Sequence, residues 1–350
     1  MAAATAVLSL LFTLFPPLLS AAQPTPYLSP AAFLRDYQNM LSSFKIFIYA
    51  PTKPFTFPSG PSALFYGSLL RSPFLTGDPE GAHLYLVPFS PDTNTRSLAR
   101  VVREIRNNFP YWNRTLGADH FFVSPAGISF SFDRNVLELK KNSVQISDFP
   151  VVSGNFVPHK DIALPPAGKI EIGEAAEKIP PEIRFLGYLN WDGETRSDLV
   201  SELAADSDFL IDEKAEREIY ARGARASRFC LFFHGGSAEA PPRLAEAMAA
   251  GCVPVVLVDR PVQDLPFMDV LRWSDMAVVA RVPPGGGGRL RELLGGVSEE
   301  RYSEMRGLCA AASRHLVWNE EPRPLDAFHV VMYQLWARRH AVRYARREFV

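Results

Sequence analysis

The sequence predicts an α/β protein made of two halves, each a parallel sheet with helices packed on its faces. Three observations carry that expectation. Short apolar, strand-like runs alternate with segments of helical period through most of the chain. A polar stretch bracketed by Pro165-Pro166 and Pro180-Pro181 reads as a linker between two such alternating sets. The 350 residues, 47% hydrophobic and 21% charged, are enough to bury two cores of ordinary size.

Residues 44–50 form the first strand, ended by Pro51, which has no N–H to offer a ladder. Residues 83–89 form the second. Between 97 and 109, Leu98, Val101, Val102, Ile105 and Phe109 recur at helical spacing while Arg100, Arg103 and Arg106 face away. Strands at 120–124 and 143–147 complete the first set. The second set reads as a strand at 184–189, a helix at 196–205, a strand at 228–233, a glycine turn, a helix at 242–250 and a strand at 253–258. The run from Pro283 to Gly288 reads as a flexible loop. Two amphipathic helices, 298–316 and 325–340, close the chain. The expected domains are 41–180 and 181–340, preceded by a short stem at 23–40.

Residues 6–22 are nearly all apolar, and no Lys or Arg occurs before Arg35. Pro16-Pro17 interrupts the run, and Ser20-Ala21-Ala22 places small residues where a signal peptidase reads. Residues 1–22 are therefore expected to be a signal peptide or a short signal anchor, directing the rest to a lumen. Asn113-Arg114-Thr115 is an N-glycosylation sequon that agrees with such a fate.

With 37 Lys+Arg against 38 Asp+Glu, the net charge of −1 excludes the electrostatic footprint of a nucleic-acid binder. Three cysteines cannot make a disulfide scaffold. Cys230, Cys252 and Cys309 allow one bridge and one free thiol, and without a CxxC pair they do not suggest zinc.

The most informative chemistry lies between Arg228 and Asp259. An apolar strand ends in His234-Gly235-Gly236-Ser237, Pro242 can occupy a first helical turn, and Gly251 sits where a helix C-terminus favours positive φ. Strand, glycine turn and helix start together make an anion cradle. Arg243 adds a full charge to it, and Glu246, three residues on, shares its face and suits ribose hydroxyls. The competing reading is a plain solvated i,i+3 ion pair. Ser237 as an elbow nucleophile is disfavoured, because Glu239 stands where G-x-S-x-G needs its last glycine. Asp206-Ser207-Asp208 has the D-x-D spacing of a metal site under a sugar nucleotide, but it follows a helix and reads better as a solvated turn. Asp119-His120 opens a strand and is a candidate base pair, against the alternative of a packed core histidine. His159-Lys160-Asp161 is placed along the cleft, and His315 and His329 read as structural.

These residues carry a family resemblance. Arg243-Leu-Ala-Glu246-Ala, Gly251-Cys252-Val253-Pro254-Val255, Asp264-Leu265-Pro266-Phe267 and Asp269-Val270-Leu271-Arg272-Trp273 closely resemble the exostosin-like glycosyltransferases, particularly the branch that builds plant cell-wall polysaccharides. Tyr111 to Arg114, Gly117 to Val123, Pro158 to Ile162 and Leu325 to His329 extend the similarity. The resemblance implies a GT-B fold: two Rossmann-like domains facing a cleft, with the nucleotide held by the second. It implies inverting transfer from a UDP-sugar to an acceptor glycan by a type II membrane protein of the Golgi lumen. By position, Gly235, Gly236 and Ser237 would form the phosphate loop, Arg243 would neutralise the departing diphosphate, Glu246 would hold the ribose, and Asp119 or His120 would be the base. No tight metal site is required, and a loosely bound divalent ion is compatible.

Two departures stand out. The plant branch commonly carries a His-Asp pair after the Asp-His-Phe-Phe-Val segment, where this chain has Ser124-Pro125-Ala126-Gly127. The glycine turn also carries one extra residue before Arg243. They give weight to an alternative, a non-catalytic glycan- or nucleotide-binding member that partners an active transferase in a hetero-oligomer.

Overall fold

The computed structural model describes residues 25–51, 54–152, 154–168, 182–235, 243–259 and 261–344. The signal segment and the stretch read as a linker fall largely or wholly outside these. Among the described residues no helix is long and apolar enough to cross a membrane.

The first sheet contains β1 (Ile46–Ile48), β2 (Leu84–Leu86), β3 (His120–Val123), β4 (Val144–Asp148) and β5 (Ile162–Leu164), side by side in that order and all parallel. Leu75 makes a parallel bridge to Ile46 on the other edge of β1. Counting that bridge as the second pairing segment, the order is second-first-third-fourth and onward. The second sheet, β6 (Phe185–Trp191), β7 (Phe209–Glu213), β8 (Ser227–Phe233), β9 (Val253–Leu257) and β10 (Val278–Ala280), runs β7-β6-β8-β9-β10, again all parallel. Both halves thus share one doubly wound topology. Winding reverses between β1 and β2 and between β6 and β8, and such sheets open a ligand crevice at the carboxyl ends beside the reversal. The arrangement is the expected α/β, GT-B type.

In the first half the helices are α1 (Pro30–Ser43), α2 (Gly60–Leu70), α3 (Thr95–Asn108), α4 (Tyr111–Thr115) and α5 (Arg134–Asn142). α3 follows the apolar period in the sequence, buries Leu98, Val102 and Ile105, and starts where the Asn94 side chain accepts the Ser97 N–H at 2.9 Å. The second half has α6 (Ser197–Ala204), α7 (Arg217–Arg225), α8 (Leu244–Ala249), α9 (Trp273–Met276), α10 (Gly287–Gly295) and α11 (Glu299–Ser313), and α12 (Ala327–Tyr344) ends the described chain.

Two expectations change. The stretch read as a stem is an integral helix from Pro30 onward. Phe33, Tyr37 and Met40 recur at i, i+4 and i+7, and α1 buries all three, each worth about 1.5–3 kcal/mol. The Tyr37 hydroxyl accepts the Leu325 N–H at 3.0 Å, tying α1 to the C-terminal region. The Pro283–Gly288 run is only partly a loop, because α10 begins at Gly287; the Glu202 carboxylate accepts the N–H groups of Gly285 and Gly287, both at 2.9 Å.

The C-terminal region crosses back onto the first half. Arg338 on α12 donates to the carbonyls of Lys160 at 2.7 Å and Asp161 at 3.2 Å, and the Trp318 indole donates to the Pro165 carbonyl at 2.9 Å. One apolar cluster consequently runs through both halves.

Candidate active site

The carboxyl ends of the two sheets meet at β4 and β8. Phe149, just beyond β4, packs on His234, just beyond β8, with ring centroids 5.8 Å apart. The Asp264 carboxylate joins the halves, accepting the Val151 N–H at 2.8 Å and lying 2.7 Å from His234 Nε2. Sequence reasoning misses the His234–Asp264 pair, since 30 positions separate its members and no periodic pattern links them.

On the second-half side, Arg243 stands at the N-cap of α8. Its guanidinium donates to the Ala215 carbonyl at 3.1 Å, lies 4.8 Å above the Tyr220 ring and sits 3.7 Å from Glu246. The i,i+3 ion pair therefore exists, but in a largely enclosed place, with side-chain exposures of 30% and 17%. Arg243 Nη1 is buried with no hydrogen-bond partner among the described residues. A buried donor in that condition costs about 1–3 kcal/mol. Burial first, then the Glu246 charge, pushes the Tyr220 hydroxyl well above its ordinary range, so it stays a neutral ring beneath the guanidinium. The backbone of Gly168, at the start of the connection between the sheets, passes close to the Glu246 side chain.

Gly235 adopts φ +86°, so the chain turns sharply after β8, and Gly251 adopts φ +80° just past α8 as its sequence position suggested. Gly236 and Ser237 lie outside the described residues. The expected helix at 242–250 is shorter than its sequence signals: α8 has six residues and starts at Leu244. The positive charge at this place belongs mainly to the Arg243 side chain.

Asp119 and His120 sit elsewhere, at the amino end of β3. His120 is fully buried; Nδ1 pairs with Asp119 at 2.8 Å and Nε2 with the Tyr49 hydroxyl at 2.9 Å. Tyr49 and Tyr85 stack on its ring at 5.6 and 5.1 Å, with Trp112 edge-on at 4.8 Å. Asp119 also accepts from Thr115 at 2.6 Å and from Arg114 at 3.3 Å. Burial pushes its carboxyl up, but the bonds from His120 and Thr115 and the Arg114 charge hold it below its ordinary value, while burial depresses His120. Every polar end of the pair is engaged and enclosed, the geometry of a core histidine rather than of a base facing an acceptor.

Asp206 and Asp208 are both held by Arg291, at 3.3 and 2.7 Å, which fits the turn reading over the D-x-D one. His159 is exposed, whereas Lys160 and Asp161 are buried; Asp161 accepts the N–H groups of Gln145 at 3.1 Å and Val157 at 2.9 Å, so the motif is a structural clasp beneath α12. His315 bonds the Tyr27 hydroxyl at 2.8 Å and the Leu325 carbonyl at 2.6 Å, and His329 bonds Asp326 at 3.0 Å; both are structural. Cys230 and Cys252 form a disulfide and Cys309 is free and buried. Asn113 is exposed on α4. No group of three metal-binding side chains occurs among the described residues.

Comparison with known proteins gives a consistent picture. The family profile described as the Exostosin GT47 domain matches residues 40–283. A probable glycosyltransferase of Arabidopsis thaliana is 30% identical across 89% of this chain and 71% of its own length. A probable β-1,4-xylosyltransferase of the same plant is 27% identical over 75% of this chain and 72% of its own. A probable glucuronosyltransferase of Oryza sativa subsp. japonica is 28% identical over 75% and 70%. Among solved structures, a UDP-glucosyltransferase from Polygonum tinctorium is similar at 12% identity and a TM-score of 0.34, over 90% of this chain and 99% of that one.

Proposed function

The chain belongs to the Exostosin GT47 family of glycosyltransferases, and we propose that it is an inverting enzyme that moves a sugar from a UDP-sugar to an acceptor glycan. The observation that carries this reading is Arg243 at the N-cap of α8, a guanidinium braced by Ala215, Tyr220 and Glu246 with one buried donor still without a partner among the described residues. A diphosphate oxygen satisfies that donor, and fixed positive charge at a leaving diphosphate is the strongest stabilisation such a displacement can use. In this reading Glu246 holds the ribose, and Gly235, with Gly236 and Ser237 after it in sequence, serves the phosphates. UDP-xylose and UDP-glucuronic acid are the first donors to try, given what the relatives are named for. A loosely held divalent ion is compatible with the reading.

The disulfide needs an oxidising compartment. With the exposed Asn113 sequon and the apolar segment at 6–22, it supports a type II membrane protein of the Golgi lumen, glycosylated at Asn113. One observation favours a second reading, a non-catalytic partner subunit: the turn from Ser124 to Gly127 carries no titratable side chain.

Calorimetric titration of the full chain with UDP tests the nucleotide site, followed by turnover with a panel of UDP-sugars. Saturable binding that Arg243→Ala and Glu246→Ala each weaken at least tenfold, with melting temperature retained, is expected. Well-folded protein that binds no UDP with or without Mn²⁺ removes the transferase reading. Binding without turnover of any donor selects the partner-subunit reading.

A further inference from the structure

We infer that Asp148 is the base of the acceptor side, taking the proton of a sugar hydroxyl that is seated against the rings of Phe55 and Tyr66. The inference rests on the transferase reading above and adds to it the acceptor's place. Asp148 is the last residue of β4, and among the described residues it is the only carboxylate on the last residue of β1 to β5 or within the next three positions. Its neighbour Phe149 touches His234, so Asp148 stands where the carboxyl ends of the two sheets converge. Its N–H bonds the Pro125 carbonyl at 3.0 Å, placing it beside the turn that lacks a titratable group.

The side chain is half-buried, and Ser62 near the start of α2 donates its hydroxyl to Oδ1 at 2.5 Å. Burial pushes the carboxyl above its ordinary value against the pull of Ser62, the direction that makes a carboxylate a better base. Tyr66 lies one turn along α2 from Ser62, on the same face. Its ring stacks on Phe55 at 5.4 Å and meets Phe57 edge-on at 5.3 Å, and Phe55 and Tyr66 are both only partly buried. A partly exposed pair of aromatic rings, one helical turn from the serine that holds this carboxylate, is the composition of a carbohydrate subsite, with apolar walls and a few placed polar groups.

In the step, the acceptor oxygen bonds to the anomeric carbon as the bond from that carbon to the diphosphate oxygen breaks, its electron pair leaving on UDP. The hydroxyl proton passes to Asp148, which later returns it to water.

Asp148→Asn keeps the shape and the acceptor for Ser62 while removing the base. UDP release from UDP-xylose, UDP-glucuronic acid, UDP-glucose and UDP-galactose is measured with β-1,4-xylo-oligosaccharides and other plant-wall oligosaccharides as acceptors. The expected result is a 10²–10⁴-fold fall in kcat, with UDP affinity and melting temperature as in the wild type. Tyr66→Ala is the second variant and is expected to raise the acceptor KM about tenfold at unchanged UDP affinity. Asp148→Asn turning over within threefold of the wild type overturns the inference and leaves the transferase reading standing. A wild type that binds UDP yet turns over no donor overturns both, since there is then no proton to take.

Discussion

Asp119–His120 and Arg243–Glu246 are both acid–base pairs close in sequence, and their places in parallel sheets give them different lives. The first pair stands at the amino end of β3, walled by Tyr49, Tyr85 and Trp112, with every polar atom engaged. The second lies beyond the carboxyl end of β8, beside the reversal of winding, with one guanidinium nitrogen lacking a partner among the described residues. Strand polarity is what separates them. At the amino end the chain continues straight into the sheet and the side chain joins the core; at the carboxyl end the chain turns away and leaves a crevice. A histidine beside an aspartate therefore says little until the end of the strand it occupies is known.

The largest effect that would break this contrast is on Asp119. Asp119→Ala leaves the buried His120 and Thr115 donors without their acceptor, and the expected cost is about 1–3 kcal/mol of stability, read as a fall in melting temperature or in the denaturant midpoint. UDP affinity of the folded fraction should not move. A variant with native stability and lost turnover would return the pair to the catalytic role that its sequence position suggested. Arg243→Lys sharpens the other side with a smaller effect. It keeps the charge but loses the planar donors that reach Ala215 and spread over Tyr220, so UDP should bind about tenfold more weakly with the fold unchanged. Equal affinity in the lysine protein would mean that only net charge matters there.

The alternation of apolar runs is enough to read the two halves, because strands buried on both faces need no partner to be recognised; β1, β2, β3 and β9 fall within the expected runs, and β8 starts one residue before its own. Short or locally silent elements escape. β5 is three residues between Lys160-Asp161 and Pro165-Pro166, β10 is three residues long, and the apolar run of β7, Phe-Leu-Ile-Asp-Glu, is cut short by its two charges. α2 buries Ser62 and Ser68 alongside Phe65 and Leu69, so it shows no clean contrast of polar and apolar faces. For the site, Arg243, Glu246 and Gly235 are visible because helix and turn signals are local. Asp148 and the His234–Asp264 pair are not, because what places them is tertiary: β4 meeting β8, and a carboxylate accepting from Val151 113 positions away.

The smallest effect concerns a second enclosed histidine, which sharpens the view that such residues report on the fold. His315 links Tyr27 to Leu325, and burial pushes its imidazole down to about 4. Arg314 reinforces that direction, while the Leu325 bond and Asp326 oppose it. An unfolded histidine titrates near 6.5. Between about 4 and about 6.5 the unfolded chain therefore binds more protons than the folded one, so stability rises with pH across that window and is lost on acidification. At pH 5.5 the expected loss relative to pH 7 is about 1 kcal/mol. Melting temperatures of the wild type and His315→Gln, followed from pH 7 to pH 5, check it: the variant should fall less steeply, whatever its starting value, because it has no imidazole there to charge. Parallel slopes would assign the acid sensitivity to other groups, with His120 first among them because burial depresses it as well. UDP affinity measured on the folded protein across the same range should not follow the His315 substitution, since that side chain bonds Tyr27 and Leu325 and neither Arg243 nor Glu246.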